Sequence, residues 1–133
     1  MSAVEARVRA SFARQGMMRT LGAALEHVGP GLVRVGADVS EASSQQQGAG
    51  HAALTFALAD SAAGYAALTL IEEGMEVVTS EFRISLLAPA TGRLVAEGRV
   101  IRPGRRLIAV AADVRAGEVH VATALGTMVP VRG

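Results

Sequence analysis

The order of elements predicts an α+β domain: an antiparallel sheet of about six strands curved around one long helix, with a short helix at the N-terminus. Three observations carry this reading. Residues 51–70, HAALTFALADSAAGYAALTL, are almost all small or apolar, so no polar stripe is left for water and the helix should be buried all round. Four segments after it have strand character and are joined by tight turns. Two strand-like segments precede it, and such a meander supplies no crossover helices to cover both faces of a parallel sheet.

Each element follows from local pattern. In residues 3–14, Val4, Val8 and Phe12 recur at helical spacing and Gly16 then punctuates the run. Arg7, Arg9, Arg14 and Arg19 beside the single acid Glu5 faintly imitate a transit peptide, yet the spacing favours an amphipathic helix packed on the domain. Residues 21–28 read as extended, Gly29-Pro30-Gly31 as a turn and 32–39 as a strand, which together make a hairpin. Residues 41–50, rich in Ser, Gln and Gly, are a loop feeding the central helix.

After Glu72-Glu73-Gly74, the residues Val78, Ser80, Phe82, Ile84 and Leu86 fall on one face of a strand, with Thr79, Glu81, Arg83 and Ser85 on the other. In residues 93–101 the inward set Leu94, Ala96, Gly98 and Val100 is small enough to leave room for a thick helix. Arg102-Pro103-Gly104-Arg105 turns the chain into 106–115, whose Val and Ala content suggests burial on both faces. Residues 118–131 complete the set, with Val119, Val121, Thr123, Leu125 and Val129 on one side and Pro130 marking a strand end.

Composition bounds the function. A chain of 133 residues, 50% hydrophobic and 19% charged, fits one domain over 1–133 with surface left to bury between subunits. With no cysteine there is no disulfide framework and no thiolate metal site, which is compatible with a reducing cytoplasm. A net charge of +1, basic residues that are all Arg and only 3% aromatics exclude a phosphate-tracking or base-stacking surface, so nucleic acid is not an expected partner. The apolar run is broken by Thr55, Asp60 and Ser61 and is mostly Ala, so no membrane span is expected.

Asp60 is the residue that does not fit its surroundings. No basic residue lies near it in sequence, and a carboxylate in an apolar helix is costly unless partners compensate it or a reaction uses it. The first amides of the same helix, Ala52 with Ala53, have no internal acceptor and sit at the positive end of the dipole, where they can bind either a developing oxyanion or a capping group. Eight residues separate Ala52 from Asp60, about 12 Å along a helix, so one carbonyl cannot touch both. If they cooperate, each must come from a different subunit, with two central helices antiparallel about a two-fold axis.

The run Gly48-Ala49-Gly50-His51-Ala52-Ala53, followed by Leu58-Ala59-Asp60-Ser61-Ala62, resembles the hotdog-fold acyl-CoA thioesterases of the phenylacetic-acid-pathway type. Their pattern is Asn-x-x-Gly-x-x-His-Gly-Gly with an Asp nine residues after the His. His51, Asp60 and Gly48 keep it, Gln45 (or its neighbour Gln46 or Gln47) stands for the Asn, and Ala52-Ala53 replaces the double glycine. The segments around Val78-Thr79-Ser80-Glu81, Leu87-Ala88-Pro89-Ala90 and Gly92-Arg93-Leu94 extend the likeness over almost the whole chain.

The resemblance implies hydrolysis of an acyl- or aryl-CoA to an acid and free coenzyme A, with no metal or redox cofactor. It implies Asp60 as general base or nucleophile, a hydroxyl at Thr79 beside it, an amide at Gln45 orienting water, and a site shared within a homodimer that can pair into a homotetramer. Each residue has a structural alternative: His51 a hydrogen-bonded loop member, Thr79 a half-buried strand residue, Gln45 a solvated loop side chain, Asp60 a buried cap. Arg102, Arg105 and Arg106 are candidates for coenzyme A phosphates or solvated turn residues. Tyr65 reads as core or interface, and the small residues Ala53, Ala57 and Gly64 either open a pocket or allow close packing. Two other activities compete: a non-catalytic acyl-CoA binder, and a hydratase or dehydratase, for which His27, His51 and His120 carry no recognisable motif.

Overall fold

The computed structural model describes residues 1–133. Helix α1 (Ala3–Ala13) and the short α2 (Gly16–Thr20) lead into strands β1 (Ala24–Gly29) and β2 (Leu32–Asp38), then the central helix α3 (Ala52–Leu68). Four strands follow: β3 (Met75–Leu86), β4 (Arg93–Arg102), β5 (Ile108–Ala116) and β6 (Val119–Arg132). All neighbours pair antiparallel in the order β1-β2-β4-β5-β6-β3, so the expected hotdog arrangement is present, with β1 and β3 at the edges. Helix α2 is an addition to the sequence reading, which has extended chain from residue 21 instead of a strand beginning at Ala24.

The helix lies unusually close to the sheet because the facing residues are small. A Cβ placed on Gly98 of β4 would come within 2.2 Å of the Ala62 carbonyl carbon and 2.3 Å of the Ala63 nitrogen, so only glycine fits there. Leu94 and Ala96 on β4, Ala112 on β5 and Ala124 on β6 continue this buried layer against Leu58, Ala59 and Ala62. On β6 it is therefore the alternate set, Ala122, Ala124 and Met128, that is buried toward the helix, while Thr123 and Leu125 face outward. The outer face carries ion pairs at open sites, including Arg34–Glu97 and Arg99–Asp113, both at 2.7 Å, and Asp113 also shares a hydrogen bond with His120 Nε2 at 2.8 Å.

The ends of α3 are fastened by hydrogen bonds. At its C-terminus the Thr69 hydroxyl donates to Ala66 O and accepts from the Gly31 N–H, both at 2.7 Å, tying the helix to the β1–β2 turn. Arg7 of α1 donates to the carbonyls of Ile71 and Met75, clasping the link into β3. Pro130 does not end β6. It pairs with Val77 beyond the last β5 partner, Met128, where β6 is locally an edge and can tolerate a missing N–H.

Two further expectations are corrected. Strand β3 carries a bulge: Thr79 pairs with Met128 and Glu81 with Thr127, leaving Ser80 as an extra residue. The extra residue reverses the alternation, so Thr79 joins Phe82 on the helix side while Val78 turns outward and is 49% exposed. Helix α3 is also not buried all round. The sheet covers one side, and Ala53, Phe56, Ala57, Asp60, Ser61 and Gly64 form a half-open stripe on the other. No helix is long and apolar enough to cross a membrane.

Gly98→Ala should destabilise the fold by about 2 kcal/mol or more, because the methyl meets helix backbone that cannot swing aside as a side chain would. Urea unfolding measures this, and a variant as stable as the parent would contradict the close approach.

Candidate active site

Asp60 stands in the middle of the open stripe of α3, at the mouth of a depression of about 260 Å³ bounded by α1, α3 and β3. The bulge at Ser80 aims Thr79 at it, and the Thr79 Oγ1 hydroxyl donates to Asp60 Oδ1 at 2.8 Å, with Met128 Sδ 3.4 Å from Thr79 Oγ1. None of the ion pairs of the chain includes Asp60. Burial pushes its carboxyl above the ordinary carboxylate value, and the Thr79 hydrogen bond draws it part of the way back. The result is a carboxylate held by one hydroxyl, facing a partly enclosed space, and well suited to accept a proton.

The helix N-terminus lies in a second depression of about 510 Å³, lined by Gln45, His51, Ala52, Leu86, Leu87 and Pro89 among others. The loop before it is built for this position. Gly48 adopts φ +94°, which a side chain disfavours, and its N–H bonds Gln45 O at 3.0 Å. The Gly50 N–H reaches Ala90 O at 2.7 Å and the His51 N–H reaches Ser43 O at 2.8 Å, which fixes where the helix begins.

His51 is the N-cap: its Nδ1 accepts the Ala53 N–H at 2.9 Å, so the ring in this tautomer carries its proton on Nε2. His51 O accepts from Leu54 at 2.9 Å and from Thr55 at 3.4 Å. Ala52 is thereby the one first-turn residue whose N–H has no acceptor, while Ala53, expected to share that role, is already capped. Gln45 uses its Oε1 to accept from the Gln47 N–H, which leaves its amide nitrogen untied in the depression that Ala52 also lines.

The two depressions share no residue: within one chain Gln45, His51 and Ala52 share one, with Gly48 bonded to Gln45 and Ala53 to His51, and Asp60 and Thr79 share the other. Arg102, Arg105 and Arg106 are exposed and make no ion pair; Arg105 borders a cleft with Ile71, Met75 and Pro130, past the C-terminal end of α3. Ala53 and Ala57 line a third hollow with Met17, Leu21 and Leu54, whereas Gly64 opens onto Asp60. Tyr65, read from sequence as core or interface, is buried as expected but also walls the Asp60 depression together with Ser11 and Gln15. Ser11 and Gln15 were missed because they meet Tyr65 across 50 or more residues of sequence.

The sequence matches the family model of the Thioesterase superfamily over residues 47–123, more than half of the chain. The chain belongs to the thioesterase superfamily. A search of curated proteins finds no match. Among solved structures, a thioesterase family protein from Silicibacter pomeroyi is 38% identical, with a TM-score of 0.94 over 98% of this chain and all of that one. The PaaI protein of the phenylacetic acid degradation operon of E. coli is 21% identical, with a TM-score of 0.89 over 98% of this chain and 94% of that one. A thioesterase of Haemophilus influenzae is 20% identical, with a TM-score of 0.87 over 99% of this chain and 92% of that one. The last two likenesses are of fold alone.

The Asp60 carboxyl should titrate above its ordinary value in a carbon-detected NMR titration, and Thr79→Val should raise the midpoint further. Within that window the folded chain holds more protons than the unfolded one, so stability falls as pH rises through it. Asp60→Asn should remove this part of the slope of unfolding free energy against pH. An unchanged slope would show that the carboxyl is not desolvated.

Proposed function

We propose that this thioesterase-superfamily chain hydrolyses an acyl- or aryl-CoA thioester to a carboxylic acid and free coenzyme A. The observation that supports this best is the pairing of an uncompensated, desolvated Asp60 with a superfamily fold and with a helix N-terminus that keeps one free amide. The thioester oxygen accepts from the Ala52 N–H, which stabilises the charge that develops as the carbonyl carbon becomes tetrahedral. Asp60 takes a proton from water as the water oxygen attacks, the C–S bond breaks, and the thiolate of coenzyme A leaves and is protonated. In a second route Asp60 itself attacks the carbonyl carbon, the C–S bond breaks to release the coenzyme A thiolate, which is protonated, and water then opens the mixed anhydride to the acid and the free Asp60 carboxylate. Gln45 holds water or the thioester, and Thr79 keeps the carboxylate aimed.

The working unit in this reading is a homodimer. Asp60 and Ala52 are about 12 Å apart along one helix, so the site needs α3 from two copies lying antiparallel. Strand β3 offers a 12-residue edge with nothing paired on its outer side, and Phe56, 38% exposed on the open stripe, offers an apolar contact beside it. The Arg102, Arg105 and Arg106 turn, exposed past the C-terminal end of α3, supplies the guanidinium groups that would hold coenzyme A phosphates. Two such dimers pairing through their outer faces give the homotetramer. No metal or redox cofactor has a step here, and the reaction suits the cytoplasm.

A binding-only reading retains one specific support: the His51 cap consumes the Ala53 amide, leaving a single oxyanion donor. Acyl-CoA binding by calorimetry without release of free thiol would select it.

Asp60→Asn should lower kcat by about 10²-fold or more without unfolding the protein, as expected for loss of acid–base assistance. The acid limb of the wild-type pH–rate profile should lie above the ordinary carboxylate value, because activity needs the ionised form. Ala52→Pro is a sharper probe. Ala52 is the first helical residue and His51 before it is already extended at ψ 145°, so proline is tolerated while the free N–H disappears. It should cost roughly 10²-fold or more in kcat. Mixing the two inactive variants should restore activity through hybrid dimers with one intact site. Failure to complement, with both variants folded and exchanging subunits, would overturn the shared site.

A further inference from the structure

We infer that the Thr55 hydroxyl is a second hydrogen-bond donor at the helix tip, acting beside the Ala52 N–H on the same thioester carbonyl oxygen. This role rests on the thioesterase reading and adds a catalytic residue to it. Thr55 belongs to α3 and lines the depression at the helix N-terminus together with Ala52. It is 1% exposed. Along this helix and its caps the side chains that form hydrogen bonds are His51, Asp60, Tyr65 and Thr69, and Thr55 is not among them. No buried side-chain oxygen or nitrogen of the chain is both sealed from solvent and without a partner, so the little surface that Thr55 shows includes its hydroxyl. A buried side chain thus presents one unused hydroxyl to the depression.

A helical threonine commonly hands its proton to the carbonyl four residues back. For Thr55 that carbonyl is His51 O, which already accepts from the Leu54 and Thr55 amides at 2.9 and 3.4 Å, and the hydroxyl does not join them. Valine would fill the same space beside the buried Leu54, Leu58 and Ala59 with no donor left over, so the hydroxyl is costly unless a ligand uses it. Ala52 and Thr55 are three residues apart, about 4.5 Å along the axis, at neighbouring positions on the helix surface. Helix side chains lean toward the N-terminus, so Thr55 covers the turn that carries the Ala52 amide. His51 has taken the Ala53 N–H, which leaves the tip one free backbone donor, and Thr55 supplies the other. Its branched Cβ restricts χ1, so the donor is in place before substrate arrives, as the long Gln45 side chain is not. Leu86, Leu87, Pro89 and Val121 make the facing lining apolar, which strengthens a hydrogen bond to developing charge. The hydroxyl keeps its proton throughout, and Asp60 remains the base.

The test measures kcat and KM separately on acetyl-, butyryl-, hexanoyl-, decanoyl- and phenylacetyl-CoA for the wild type, Thr55→Val, Thr55→Ser and Thr55→Ala, with thermal unfolding of each. Thr55→Val should lower kcat by about 10²-fold and leave KM within about threefold, since the donor acts on charge that appears only in the transition state. It should keep or raise Tm, because a methyl replaces an unpartnered hydroxyl. Thr55→Ser should recover most of kcat, which a threonine serving packing alone would not show. A folded Thr55→Val with unchanged kcat, a loss confined to KM, or Thr55→Ser no better than Thr55→Val overturns the second donor. If Thr55→Val fails to fold, Thr55→Ala against Thr55→Ser makes the same comparison. A readout independent of turnover is the infrared stretch of a ¹³C-labelled thioester carbonyl bound to Asp60→Asn. The stretch should lie below that of the free thioester, and adding Thr55→Val should move it back up. A stretch that Thr55→Val leaves unmoved overturns the second donor as well. Absence of wild-type hydrolysis on the whole panel, with acyl-CoA still bound, overturns the hydrolase reading instead, and the carbonyl stretch then decides Thr55 alone. Absence of binding overturns both.

Discussion

The structure depends on how closely one alanine-rich helix lies against a sheet that has glycine and alanine beneath it. Dispersion contacts are short-ranged, so a helix of small residues gains attraction only by approaching further than a leucine helix can. Gly98 permits that approach at Ala62 and Ala63, and the ends are then pinned by Thr69 on one side and by His51 on the other. A helix seated so deeply has one side fully covered and the opposite side in the open. Asp60 is placed on that open side, which is why a carboxylate survives in an otherwise apolar helix.

The electrostatics of Asp60 follow from this seating. A carboxylate with no cation nearby is tolerable when part of its hydration remains, and the stripe leaves part of it. Thr79 supplies the one fixed hydrogen bond, from a strand whose bulge exists at the point where that hydroxyl is needed. The bulge and the carboxylate therefore belong together: without the extra residue at Ser80 the hydroxyl would point away from the helix. Local irregularity in an otherwise regular edge strand gives up the pairing of one residue and brings a hydroxyl to the carboxylate.

Most of the architecture was legible because it rests on local pattern. An almost unbroken run of small and apolar residues marked α3, Gly and Pro punctuation marked the hairpins, and the small inward residues around Gly98 marked room for the helix. Asp60 was legible as a residue out of place, and Gly48 as part of a spaced motif, which the φ of +94° explains. The facing of Thr79 was not, since strict alternation cannot reveal an inserted residue and assigns everything on one side of a bulge to the wrong face. Capture of the Ala53 amide by His51 was likewise hidden, because a cap depends on the rotamer of a side chain that could equally have faced solvent. Ser11, Gln15 and Tyr65 meet only after α1 folds back over α3, and no local signal brings them together.

The two halves of the site are separated by the stiffness that makes each of them possible. A helix that fixes Ala52 at its tip and Asp60 two turns on cannot bend one toward the other without breaking the hydrogen bonds that position both. In the reaction we propose, a single chain therefore holds two incomplete sites, and an antiparallel copy would bring each tip to the other's carboxylate, producing two equivalent sites from one contact surface. The edge of β3 and the open stripe of α3 lie where such a copy would have to dock, and they are also where the single chain leaves apolar side chains and backbone groups uncovered. The same exposure that would be a liability in a monomer is what a shared catalytic site requires.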